Sequence, residues 1–199
     1  AMLMGAEMAY TAKDYEKALH IYKQLKDKAA SMERRQLAKT GMLRSAHMLG
    51  NEEEIIFTAT DLLADTKLAP ELSNEAHYYR AKAYLDAGKT DGAMEDLKIL
   101  AKDTRNVYGA EAKYKVAQIY FDGGQTDKAE QEVLNYIEVS TPHTYWLARS
   151  FVLLADVYMK SGRNLDAKQY LLSLKQNYQA DDDIAGMIES RLEKLKTEN

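Results

Sequence analysis

The chain has 199 residues, 46% of them hydrophobic, and a formal net charge of −4, so it can build a packed core but has no basic excess to hold nucleic acid. Cysteine is absent, which excludes disulfides and thiolate metal sites. No run of about 18 apolar residues is present to span a bilayer.

Good helix formers dominate, and strand-like alternation is missing. An all-α fold is expected. Helix pairs are predicted near 2–12 and 14–29, 33–49 and 51–65, 71–87 and 90–103, 107–122 and 126–139, and 142–160 and 164–178. They divide a single domain, 1–199, into units of about 1–30, 31–69, 70–105, 106–141 and 142–179. The opening "AMLMGAEMAY" is already in helical register with no cap before it, as expected of a piece of a longer protein. Glu52–Glu54 and Asp181–Asp183 read as first-turn carboxylates at helix N-termini. Pro70 and Pro142 suit the first turn of a helix, where a missing N–H is harmless. The array is least regular around Thr66 to Pro70, where a hinge is expected.

A last helix is predicted from about Asp183 to Lys196, within a capping segment 181–197. Ile184, Ile188, Leu192 and Leu195 form its apolar stripe, and Glu189, Arg191, Glu193, Lys194 and Lys196 its charged face. A stack of helix pairs exposes a greasy end unless something covers it, and this helix fits that role.

The third, fourth and fifth units share a frame. "AKAYLDAGKTDGA" (81–93), "AQIYFDGGQTDKA" (117–129) and "ADVYMKSGRNLDA" (155–167) align as Ala, Tyr, Gly, Ala at constant offsets. Weaker copies lie upstream, with Gly50 in one turn and Lys13 where the other should carry glycine. Gly88-Lys89-Thr90 resembles the end of a nucleotide-binding loop. That loop needs a glycine five residues earlier, where Ala83 stands, and the motif recurs as GQT and GRN. The glycines read instead as left-handed helix stops, with Thr90, Thr126 and Asn164 placed to cap the next helix. Apolar stripes follow at i, i+4 and i+7: Ala18, Tyr22, Leu25; Ile55, Ala59, Leu62; Ala93, Leu97, Leu100; Ala129, Val133, Tyr136; and Ala167, Leu171, Leu174. Small residues at Ala81, Ala117 and Ala155 let paired helices approach closely.

This pattern resembles the tetratricopeptide repeat (TPR), most fully at Ala117, Tyr120, Gly124 and Ala129. The resemblance implies a right-handed α-solenoid of about five hairpins ending in a capping helix. It departs from the family in holding His77, Lys113 and Phe151 where an early tryptophan is frequent, and in lacking the proline near the end of units three to five. The relaxed unit length, and the stretch "TPHTYWLARSFVLLADVYMKSGRNLDAKQYLLSLKQNY", resemble C-terminal arrays of bacterial cell-envelope proteins. A periplasmic or outer-membrane-associated place would follow from that likeness.

In the family, the first helix of each unit lines a concave groove. By register, the groove here would include Tyr78, Lys82, Tyr114, Gln118, Phe121, Val152, Asp156 and Met159, with Leu85, Tyr10, Arg44 and His47 added. The implied function is a non-enzymatic scaffold holding a protein or peptide segment. The alternative is an architectural spacer or self-assembly module of a larger envelope protein, and homo-oligomers are compatible with either. The lysine–asparagine–arginine clamp of chaperone-binding members is not reproduced at these positions. The four histidines, His20, His47, His77 and His143, lack ligand spacing, and no nucleophile elbow or dinucleotide fingerprint occurs. No catalytic residue, metal or cofactor is expected.

Overall fold

The computed structural model describes residues 1–197. These form eleven helices: α1 (Met2–Thr11), α2 (Tyr15–Lys28), α3 (Met32–Met48), α4 (Glu52–Leu63), α5 (Pro70–Asp86), α6 (Thr90–Leu100), α7 (Val107–Asp122), α8 (Thr126–Glu138), α9 (Thr144–Lys160), α10 (Asn164–Asn177) and α11 (Ile184–Thr197). No strand occurs among the described residues. The chain is an α-solenoid of helix hairpins, α1/α2 through α9/α10, with α11 following. Its contacts gather into two compact units, Ala1–Ile99 and the part from Leu100 onward. The division falls at the end of α6, whereas the loop around 66–70, read as the hinge, lies inside the first unit.

Each hairpin turn is built the same way. Lys13, Gly50, Gly88, Gly124 and Gly162 all have positive φ, between 61° and 74°. The amide of each reaches back to the preceding helix, as in Gly124 N to Phe121 O at 3.0 Å. The next amide reaches further back, as in Gln125 N to Tyr120 O at 2.8 Å. This pair of bonds satisfies carbonyls that a helix end would otherwise leave open. Gln125 O then accepts from Ala129 N, so one residue closes one helix and opens the next. Lys89, Arg163, Asp14 and Asn51 do the same in their own turns.

That geometry corrects the capping assignment. Thr90, Thr126 and Asn164 are the first helical residues rather than caps. The cap position falls one residue earlier because the returning amide leaves no spacer. Gln125 and Arg163 occupy it without a side-chain cap bond. Asp14 and Asn51 do cap, through Lys17 N at 3.2 Å and Glu54 N at 3.1 Å.

Pro70 opens α5 as expected, and Glu52–Glu54 form the first turn of α4. Pro142 lies two residues before α9, not inside it. Thr141 Oγ1 donates to Thr104 O at 2.7 Å and accepts from His143 N at 3.1 Å, which holds the entry loop in a turn and delays the helix. Asp181–Asp183 likewise precede α11, where Asp182 Oδ1 accepts from Ile184 N at 3.0 Å.

The alanines are buried where the repeat placed them: Ala81, Ala117 and Ala155 on first helices, and Ala93, Ala129 and Ala167 on second helices. Helices close on one another there because nothing larger than a methyl intervenes. The second-helix stripes are also inside, although Leu25 is only partly covered. In the second unit, Ile184, Ile188, Leu192 and Leu195 of α11 join a core with Leu154, Leu171 and Leu174.

The positions that lack the family's tryptophan are filled by pairs. His77 on α5 meets Asp96 on α6, Lys113 on α7 meets Glu132 on α8, and Phe151 on α9 faces Tyr170 on α10 with ring centroids 6.0 Å apart. In α3 the equivalent residue is Lys39, which bonds Asp61 on α4 and Asp65 in the turn that follows it.

Candidate functional site

In the second unit, α9 packs on α7 and α11 on α9. The groove residues expected in this unit fall into two rows at helical spacing: Tyr114, Gln118 and Phe121 on α7, then Val152, Asp156 and Met159 on α9. Tyr114 and Val152 are set inward. They keep only 6% and 3% of their surface and belong to the core, so they offer a partner little. Tyr114 donates its hydroxyl proton to Gln118 Oε1 at 2.8 Å, and Gln118 Nε2 donates to Asp122 at 2.8 Å. Asp156 is held from α11 by Arg191 through two bonds of 2.8 and 2.7 Å. Phe121 and Met159 lie against the core while keeping part of their surface in water, and Lys160 Nζ sits 5.2 Å over the Phe121 ring.

Sequence register alone missed Arg149 on this face. Its guanidinium donates to Tyr145 at 2.9 Å and Tyr114 at 3.3 Å and lies 5.1 Å over the Tyr114 ring. Burial works against its charge, but the two phenols outweigh that and hold it above the usual arginine range. Tyr178 is pushed up to about 12 by burial and by the neighbouring Asp182.

In the first unit, α1, α3 and α5 lie side by side. Arg44 on α3 grips Glu75 on α5 through bonds of 2.6 and 2.8 Å. His47 stacks on Tyr79 at 4.3 Å, and burial, then the Lys82 charge, lower its pKa. Lys82 lies 5.8 Å over the Tyr78 ring, so these two expected groove residues meet each other.

A cleft of about 430 Å³ opens between α1, α2, α3 and α5. Tyr10 and Arg44, both on the expected upstream face, line it together with Tyr22, Leu37 and Leu72. The α3 wall is close because Gly41 has no side chain: a Cβ there would run into the Tyr22 ring. Tyr22 reads from sequence as a core residue, and its hydroxyl at a cleft wall is not legible there.

The second feature missed is a buried carboxylate. Asp96 has no exposed surface and interrupts the apolar stripe of α6. Arg80 donates to it through two bonds of 2.8 and 2.7 Å, and His77 Nδ1 lies 2.7 Å away. Burial raises its pKa, but these bonds and charges prevail and set it below the ordinary carboxylate value. An acidic residue inside a helix's apolar stripe is the signal that could have found it. The cluster ties α5 to α6 and, through Arg80 to Thr60 Oγ1 at 3.0 Å, to α4. Its enclosure suits structure rather than chemistry on a ligand.

The remaining histidines are engaged too, His20 with Gln24 one turn away and His143 with the Arg105 carbonyl, 38 residues earlier in the chain. Among the described residues, no group of three or more His, Cys, Asp or Glu is placed to hold a metal ion. No helix there is long and apolar enough to cross a membrane.

Residues 75–103, covering most of α5 and α6, match the family model for the tetratricopeptide repeat. That stretch is thus similar to one TPR repeat, and the hairpins on either side of it repeat its architecture. Among solved structures, the protein MamA is similar at 18% identity over 88% of this chain and 88% of its own, with a TM-score of 0.68. A Podosopora anserina putative kinesin light chain with nearly identical TPR-like repeats is similar at 19% identity, over 86% of this chain and 90% of that one, TM-score 0.60. A thermophilic TPR protein of Thermus thermophilus is similar at 19% identity, over 96% and 97%, TM-score 0.53. These likenesses concern the fold. No curated protein matches the sequence significantly. A TPR fold is in general a scaffold for protein–protein interaction, and TPR proteins are typically not enzymes.

Proposed function

We propose that the chain is a non-enzymatic scaffold that binds a segment of a partner protein on the faces made by the first helices of its hairpins. The observation that carries this reading is the α7/α9 face, where Phe121 and Met159 are held in place by the core yet remain partly open to water. Such side chains bury area on binding with little ordering cost, and Met adapts to the shape it meets. Lys160 over Phe121 and the Arg149–tyrosine cluster frame that strip with polar groups. Of the expected groove residues, Tyr78, Lys82, Gln118, Phe121 and Met159 keep surface for contact, and Asp156 is engaged by Arg191.

The test is cross-linking and pull-down from a lysate of the source organism with wild type and with Phe121→Ala plus Met159→Ala. A partner recovered by wild type and lost by the variant supports the face. Equal recovery removes it. Tyr114 and Val152 are poor probes, because truncating either opens the core and mixes folding with binding.

A second reading, self-assembly, has its own observation: Met4 and Met8 on α1 are 65% and 66% exposed. Light scattering separates the two. Concentration-dependent oligomers that dissolve in Met4→Ser plus Met8→Ser favour assembly.

A further inference from the structure

The α1–α3 cleft has an electrostatic imbalance that the fold does not use. Two carboxylates line it, Glu7 on α1 and Glu33 on α3. Among the described residues neither has an ion-pair partner. The cation that lines the cleft, Arg44, is already neutralised by the two-bond grip of Glu75. Arg35, next along α3, turns away to the Ala29 carbonyl at 3.3 Å. The cleft therefore presents uncompensated negative charge over apolar walls.

A second observation concerns Tyr22. Its side chain is 93% enclosed, since 7% of its surface remains, and it lines the cleft. No hydrogen bond to its hydroxyl is found among the described residues. Burial raises its pKa first and the Glu7 charge second, and both residues line the cleft. The buried Gln36 Nε2, on α3, is a donor with no partner, and Gln36 lines the cleft too. A buried polar group without a partner costs free energy, so Gln36 Nε2 is poised for a ligand's acceptor, and Tyr22, which lines the cleft, offers its hydroxyl to a second polar atom.

We propose that this cleft receives an arginine- or lysine-bearing segment of a partner polypeptide. Leu37, Leu72 and the tyrosine rings would cover the aliphatic stem, and Glu7 and Glu33 would meet the cation. Gln36 Nε2 would donate to a backbone carbonyl of the segment, and the Tyr22 hydroxyl would take the place of water for a second polar atom. The long methylene stem of a basic residue is suited to a site that is apolar along its walls and charged at its rim. A free acidic segment is repelled by the same two carboxylates. The inference rests on the scaffold reading and names the partner chemistry for one of its faces.

The experiment uses the full chain and an array of short acetylated, amidated peptides. Each has a central leucine flanked by two arginines, two lysines, two glutamines or two glutamates. Retention on the arginine and lysine arms above the glutamine arm, falling as salt rises from about 50 to about 300 mM, is the expected result. Glu7→Gln plus Glu33→Gln should reduce basic-peptide binding roughly three- to tenfold while leaving the melting temperature in place. Tyr22→Phe, which keeps the ring, should weaken binding without changing the charge preference. Equal retention of arginine and glutamine arms, or no change in the double variant, overturns the inference. If the glutamine arm is retained as well as the basic arms, the scaffold reading stands and this one fails. If no arm is retained, this inference fails while the α7/α9 face keeps its own test with Phe121 and Met159.

Discussion

The two units reach the same hairpin geometry by different means. From Leu100 onward, one continuous apolar core runs through α7, α8, α9, α10 and α11, and among the described residues there the buried polar ones are Thr104 and Ser150. The first unit divides its apolar side chains between two smaller clusters and buries Lys39, Thr40, Ser45, Thr58 and Asp96. Charge pairs join helices in both units, but in the first they reach buried residues, Lys39 with Asp61 and Asp65 and Asp96 with Arg80, whereas Lys113–Glu132 and Arg191–Asp156 in the second stay partly exposed. The turn and the small alanines are thus what the fold requires, and the filling between helices can be grease or paired charge. Paired charge carries a condition that grease does not, because each partner must stay ionised and matched.

The largest expected effect comes from breaking that condition at its most enclosed point. Asp96→Ala should cost about 3–5 kcal/mol, because Arg80 and His77 would be left facing a cavity with no anion. Hydrogen exchange should localise the loss to α5 and α6, while α9 and α10 keep their protection. The pH dependence has a definite sign. The folded-state pKa of Asp96 lies below its unfolded value of about 3.9, so its contribution is complete above that value. It is lost as pH falls through the folded pKa. Acid should therefore loosen the first unit before the second, and Asp96→Asn should flatten that acid limb. Simultaneous loss of both units along the acid titration would show that charge pairs do not distinguish them.

Two glycines offer the next test. Gly109 on α7 faces backbone: a Cβ there would overlap the carbonyl groups of Asp103 and Leu100. Backbone cannot swing aside as a side chain does, so Gly109→Ala should cost about 3 kcal/mol and displace the α6–α7 loop. Gly41→Ala in the first unit has side-chain atoms, those of the Tyr22 ring, as its nearest neighbours, and a ring that lines the cleft can give way, so the cost should be nearer to about 1 kcal/mol. Thermal melts of the two variants check the order. A reversed order would mean that the Tyr22 ring is pinned more firmly than the loop.

What can be read before the structure follows the same division. Gly88, Gly124 and Gly162, the paired alanines and the second-helix stripes are local rules, and each is where periodicity placed it. Lys13 shows why the first copy looks degenerate: it adopts φ 61°, the conformation its aligned glycines take, at a side-chain cost that sequence comparison scores as a mismatch. The face residues are less legible. Register assigns Tyr114 and Val152 to the exposed side, but it does not include Trp146 and Arg149, which cover Tyr114, or the packing of α9 that encloses Val152. Asp156 reads as a groove anion until α11 supplies Arg191, 35 residues later in the chain. The cleft needs four helices at once, and no local pattern of Glu7, Tyr22 and Glu33 announces that they converge.

The smallest effect lies in the turns, where the units differ by one atom's reach. Asp14 and Asn51 cap their helices with side-chain oxygens, at backbone angles of φ −86°, ψ 74° and φ −88°, ψ 87°. Gln125 occupies the same place at φ −89°, ψ 63° but makes no cap, since its amide lies one carbon too far out and accepts from Lys128 Nζ instead. Because the backbone is already poised, Gln125→Asp should let the shorter carboxylate accept from the amide of Lys128, as Asp14 does from Lys17. The carboxylate also sits at the positive end of the α8 dipole. The expected gain is about 0.5–1 kcal/mol, set against the loss of an exposed side-chain bond to lysine. Asn51→Ala should move the first unit by about 1 kcal/mol in the opposite direction. Denaturant midpoints for the pair measure both shifts. If Gln125→Asp leaves the midpoint unmoved while Asn51→Ala lowers it, the shared backbone angles do not suffice for a cap, and the difference between the units extends to their turns.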